Sequence, residues 1–161
     1  MNAQLQKIHN CGTLEEKNIC YKSLVTEIAN DSVEFDDIFD VLDLSFKMFK
    51  ENFEHRNFEM IDIISKLCKD LMDLCLKMNI KEVLTKRENA ELFLDIACFV
   101  FDETYKYKEK VNVLKSLIES EEVSKEIKTI ALQNILSPEP ETRKLIANDY
   151  QIYLAMLDNL Q

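Results

Sequence analysis

A single glycine, Gly12, serves all 161 residues of this chain, where a typical globular sequence of that length carries about eleven. Every residue from 13 to 161 therefore bears a Cβ that penalises positive φ. Over that span, tight glycine hairpins are excluded, and so are glycine-rich loops that bring backbone amides up to a phosphate. Only Pro138 and Pro140 join Gly12 as strong punctuation. The chain reads as helices linked by Asn-, Asp- and Ser-containing connections.

The apolar spacing locates those helices. Thr13 followed by Glu16 is a capping-box pattern, opening a helix through about Ala29 with Leu14, Ile19, Leu24, Val25 and Ile28 as its apolar positions. Asn30, Asp31 and Ser32 supply the break and the next N-cap. From Val33 to about Asn52, Phe35, Ile38, Phe39, Leu42, Phe46 and Phe49 recur at helical spacing, and Val41, Leu44 and Met48 add a second stripe. Residues 57–79 are apolar over more than half the circumference, which marks an interior helix. A short segment follows around Ile80–Leu84. Residues 92–101, LFLDIACFVF, hold one charge in ten and read as a buried helix continuing through Glu103. Three more helices are expected at about 108–119, 123–136 and 139–158, with Pro140 in a first turn that tolerates it. The expected fold is all-α, about seven antiparallel helices, as a repeat array or a compact bundle. A flexible segment over 1–12 precedes a single helical domain over 13–161.

An internal echo lies in the last third. Leu114-Lys-Ser-Leu-Ile-Glu-Ser120, continuing to Lys125-Glu-Ile-Lys-Thr-Ile-Ala131, parallels Leu132-Gln-Asn-Ile-Leu-Ser137, continuing to Arg143-Lys-Leu-Ile-Ala147. Each stretch closes one helix, turns through serine and acidic residues, and opens a second helix on basic residues. Such units bury their apolar faces by stacking. Residues 112–160 resemble armadillo and HEAT repeats, with Ile135-Leu136-Ser137-Pro138-Glu139-Pro140-Glu141-Thr142-Arg143-Lys144-Leu145-Ile146-Ala147 as the best match. The resemblance implies stacked helix pairs and a protein-binding role. The missing glycine departs from armadillo repeats, which place one between their first two helices, and favours HEAT-like pairs. The ending at Asn159-Leu160-Gln161 fits a piece of a longer array, or a face open to a second copy in a homodimer.

Charge and composition narrow the function. A net charge of −10 opposes a nucleic-acid partner, because phosphates meet a repelling field. No window reaches 18 uninterrupted apolar residues, and the N-terminus has no apolar stretch of signal-peptide length. No membrane partner is expected. Five cysteines, an odd count, argue for thiols in a reducing compartment, cytosolic or nuclear, rather than a disulfide framework.

Catalytic motifs are missing: there is no G-x-x-x-x-G-K-[ST], G-x-G-x-x-G, G-x-S-x-G or H-E-x-x-H pattern. With only His9 and His55 available, a histidine-rich metal cage is excluded. Neither follows a glutamate by three residues, since Gln6 and Asn52 stand there, so a di-metal bundle is not expected. His9, Cys11, Cys20 and the Cys68/Cys75 helix match no zinc-finger spacing. No catalytic residue, cofactor or metal is assigned. Ile63, Ile64, Leu67, Leu71 and Leu74 have export-signal spacing, which any amphipathic helix shares. Tyr105-Lys-Tyr-Lys108 with Lys110 and Lys115 is the one basic-aromatic patch.

The candidate site is acidic. Asp31, Glu34, Asp36, Asp37, Asp40 and Asp43 crowd one stretch, with no Lys or Arg between 31 and 46. Asp36, Asp37, Asp40 and Asp43 are the expected contacts for a basic peptide or helix of a partner protein. The function expected is a non-enzymatic scaffold or adaptor. A different reading, a compact bundle regulator such as a pathogen-encoded inhibitor of host signalling, needs Phe35, Phe39, Phe46, Phe49 and Phe53 to line an open groove.

Overall fold

The computed structural model describes residues 2–31, 33–78 and 80–161. Among them the chain is all-α, with ten α-helices, one π-helical segment and no strand. The count exceeds seven for three local reasons, one being that the short segment Ile80–Leu84 forms a helix of its own. Residues expected to be flexible at the N-terminus form α1 (Asn2–Asn10), and the last expected helix is broken into α9 (Pro140–Leu145) and α10 (Tyr150–Leu160). The chain divides into two compact units, Met1–Leu71 and Met72–Gln161. A single domain over 13–161 is the sequence reading, and no Pro-, Gly- or Ser-rich linker betrays the division. It falls inside a continuous helix, α4 (Phe58–Lys77).

In the N-terminal unit, α1 is tied down by Leu5 and Ile8, both buried and one turn apart, and it packs against α2 and α3. The chain then turns at Gly12, whose φ is not positive and whose missing Cβ would meet nothing within 4 Å. The lone glycine does no conformational work. Thr13 caps α2 (Leu14–Asn30) by accepting from the Glu16 amide at 3.2 Å, as its pattern predicts. The break follows, and the cap expected at Ser32 lies outside the described residues. Helix α3 (Phe35–Glu54) begins two residues later than its hydrophobic pattern suggests.

Helices α2 and α3 run antiparallel, in a register set by buried polar pairs. Asn18 and Asn52 exchange reciprocal amide hydrogen bonds at 2.8 and 3.0 Å, and Asn52 also donates to the Met48 carbonyl at 2.8 Å. One step along, the Tyr21 hydroxyl meets Ser45 Oγ at 2.6 Å, both residues fully buried. Ile19, read as an apolar core position, points outward and is 61% exposed. The face that meets α3 is set by Asn18, Tyr21 and Leu24, and Ile19 stands about 100° round from Asn18.

Helix α3 closes in a Schellman motif. The Arg56 amide donates to Phe53 O at 3.1 Å and the Asn57 amide to Asn52 O at 2.9 Å, with Arg56 at φ 56°. Tyr105 repeats this after Glu103, at φ 59°, with bonds from Tyr105 to Asp102 and from Lys106 to Phe101. Two side-chain-bearing residues thus adopt the left-handed conformation usually given to glycine, at about 1–2 kcal/mol each.

The C-terminal unit contains α5 (Ile80–Leu84), α6 (Arg87–Asp95), the π segment (Ile96–Phe101), α7 (Tyr107–Glu119), α8 (Lys125–Ile135), α9 and α10. The LFLDIACFVF run is the buried helix its composition predicts, but its hydrogen bonding shifts to the π pattern over the last six residues. Ile96, Ala97, Val100 and Phe101 are buried there. Ser124 caps α8 and Glu139 caps α9 by accepting from Ile127 and Thr142 amides, so both junctions of the internal echo carry a side-chain cap. The helices that follow differ: α8 runs 11 residues and α9 only 6.

Candidate functional site

The α3 surface carries the acidic residues on the face away from Ile38, Val41, Leu42 and Ser45, which are buried. Asp36, Asp40 and Asp43 fall at i, i+4 and i+7 and are all exposed, whereas Asp37, one position round, is half-buried. Asp43 pairs with Lys47 at 2.9 Å, but both are more than half exposed, so the pair holds Asp43 by only a few tenths of a kcal/mol. Among the described residues, Asp36, Asp37 and Asp40 make no ion pair.

The structure adds what the sequence does not show, namely that α1 lies along this surface and forms a wall of two clefts. One, of about 460 Å³, gathers Glu27 and Asp31 from the end of α2, Glu34 and Asp37 from the start of α3, and Gln4 and Asn2 from α1. The second, of about 390 Å³, sets Asp40 and Asp43 opposite Gln6 and His9. Among the described residues no lysine or arginine lines either cleft. Carboxylates closer together than a Debye length reinforce one another's field, which favours a cation arriving from solvent. Gln4, on the α1 wall, keeps its Oε1 buried and without a hydrogen-bond partner among the described residues. Glu27 is the member that sequence reasoning missed. Its only sequence signal is its place one helical turn before Asp31.

The remaining sequence candidates separate in the structure. Phe49 is fully buried, while Phe35, Phe39, Phe46 and Phe53 are half-buried. Phe35 meets Phe39 edge-on at 5.5 Å, and Phe53 stacks on Phe49 at 5.9 Å. The stripe is thus partly packed and partly open to solvent, with Phe49 alone fully enclosed. In the export-like run, Ile64, Leu67 and Leu71 are core residues. The basic-aromatic patch keeps Tyr105, 79% exposed, but two of its lysines are engaged. Lys115 reaches Asp149 at 3.8 Å, and Lys110 binds Asp102 at 2.7 Å.

Lys110 is the one charged side chain this chain buries in its C-terminal unit among the described residues, at 4% side-chain exposure. Its ammonium sits under the π segment, and its charge partly offsets the burial that pushes the Cys98 thiol up to about 11. Cys68 and Cys75 are pushed up to about 12 by burial alone, which makes them inert hydrophobes. Among the described residues no group of three His, Cys, Asp or Glu side chains is arranged to hold a metal ion. No described helix is long and apolar enough to cross a membrane. No protein-family model, curated protein or solved structure matches the chain.

Proposed function

We propose that this chain is a non-enzymatic interaction module whose N-terminal unit holds a basic peptide or helix of a partner protein against α1 and α3. The observation that carries this reading is the convergence of carboxylates from two helices on two clefts that share α1 as a wall and, among the described residues, contain no Lys or Arg. A lysine or arginine entering the first cleft meets Glu27, Asp31, Glu34 and Asp37 together. The net charge of −10 works against a nucleic-acid partner.

The C-terminal unit serves in this reading as a HEAT- or armadillo-like scaffold. Its support is the pair of capped junctions at Ser124 and Glu139, each joining a closing helix to a new one. The reading places the protein in the cytosol or nucleus, with five free thiols in its favour.

The test is a pull-down with Lys- and Arg-rich partner segments, comparing the native chain with Asp36→Lys, Asp40→Lys and Asp43→Lys combined. All three residues are exposed, so folding stays intact while capture falls at least about tenfold. Unchanged capture removes the exposed α3 face and the Asp40/Asp43 cleft as the site.

A further inference from the structure

Cys11 and Cys20 are set apart from the other thiols by their mutual geometry. Their sulfurs lie 3.9 Å apart, one at the C-terminal end of α1 and the other in the second turn of α2. Both are half-buried, whereas Cys68 and Cys75 are fully enclosed. The Cys11 thiol donates to the Lys7 carbonyl at 3.2 Å, which holds it at the helix end facing Cys20. Closing the pair to a disulfide needs the sulfurs to approach by about 1.9 Å. Rotation about the two χ1 bonds and movement in the Cys11–Thr13 turn are the motions open to the pair. Gly12 lies in this turn with open space around its α-carbon.

We propose that Cys11 and Cys20 are a redox-modification site, forming a reversible intramolecular disulfide that staples α1 to α2. The reaction takes a small-molecule disulfide, such as oxidised glutathione, as its oxidant. One protein thiolate attacks a sulfur of glutathione disulfide, the S–S bond breaks, and one glutathione leaves as thiolate. The second protein thiolate then attacks the protein sulfur of the mixed disulfide and expels the second glutathione. The two cysteines are oxidised by two electrons, one glutathione disulfide is reduced, and the two thiol protons end on the two glutathiones.

Desolvation, then the Cys20 thiol and Glu16, raise the Cys11 thiol above its ordinary value, while Lys7 opposes them. The Cys11 thiol is therefore harder to ionise at neutral pH, which slows exchange through its thiolate. The consequence for the fold follows from α1's size. A helix of 9 residues is marginal by itself. This one is seated by Leu5 and Ile8, so a covalent tie at its C-terminal end suppresses its fraying.

The experiment equilibrates the intact chain in glutathione buffers from fully reducing to fully oxidising, then maps cysteines by alkylation and peptide mass spectrometry. The expected product is a Cys11–Cys20 disulfide, about 2 Da lighter than the dithiol, reversed by dithiothreitol and absent from Cys11→Ser and Cys20→Ser. Amide exchange across Leu5–Asn10 slows at least about threefold on oxidation, and each serine variant removes that slowing. Stable glutathione adducts without the internal bond, a disulfide to another cysteine, or unreacted thiols at the oxidising end overturn the proposal. None of these outcomes depends on whether the acidic clefts bind a partner.

Discussion

The two units solve one problem, a polar group inside a helical core, in different ways. In the N-terminal unit the buried polar groups are neutral: Asn18 pairs with Asn52, Tyr21 with Ser45, and Ser65 donates to the Asp62 carbonyl. The C-terminal unit buries a neutral group, Thr142, bonded to Glu139, but it also buries a full charge, Lys110, held by a carboxylate that is itself 40% exposed. Neutral pairs satisfy each other at little cost and fix a helix register. A buried ammonium loses solvation worth several kcal/mol and depends on its partner to recover it. The register of α2 on α3 is therefore robust, and the π segment over Lys110 is the place where the C-terminal unit is vulnerable.

Substitutions can break that contrast in order of size. Removing the partner of the charge has the largest effect. Asp102→Ala removes the carboxylate bonded to buried Lys110, leaving the longer-range field of Glu139, and lowers stability by about 3 kcal/mol, whereas Lys110→Met stays within about 1 kcal/mol of the native chain. Urea unfolding reads both, and equal losses would show that the charge is not what matters there. Next comes Asn52→Ala, expected to cost about 2 kcal/mol because Asn18 keeps a buried, unsatisfied amide. The double replacement Asn18→Leu with Asn52→Leu costs less than that single change, and the reverse ranking contradicts reciprocal pairing. The smallest effect is shared by both units. Arg56→Gly and Tyr105→Gly each relieve left-handed strain but add unfolded-state freedom, for a net gain of about 0.5 kcal/mol. A drop in melting temperature in either variant removes the strain argument.

The sequence makes the helices legible because their signals are local. Thr13 and Pro140 mark helix starts, and the apolar run from 92 to 101 marks a buried helix. It hides whatever depends on two distant segments meeting. Nothing in MNAQLQKIHN shows that Leu5 and Ile8 have a seat waiting on α2 and α3, so the segment reads as flexible. Asn18 and Tyr21 look peripheral until Asn52 and Ser45 are placed opposite them, and Ile19 looks central for the same reason. The lone glycine, which so strongly restricts the fold, takes no special conformation, and the two left-handed positions went to arginine and tyrosine. Asp36, Asp37, Asp40 and Asp43 could be read as a face of one helix. The walls that α1 and Glu27 add to that face could not, because they arrive through tertiary packing.

The central claim is that position, not bulk negative charge, makes the N-terminal unit the binding unit. The direct measurement titrates a labelled Lys/Arg-rich peptide, followed by fluorescence anisotropy, into three proteins. These are the native chain, the Asp36→Lys/Asp40→Lys/Asp43→Lys variant, and a control matched in charge change, Glu88→Lys/Glu103→Lys/Glu121→Lys, whose sites are exposed in the C-terminal unit. The account predicts at least a tenfold loss of affinity in the α3 variant and no more than about a twofold loss in the control. Equal losses in both variants contradict it.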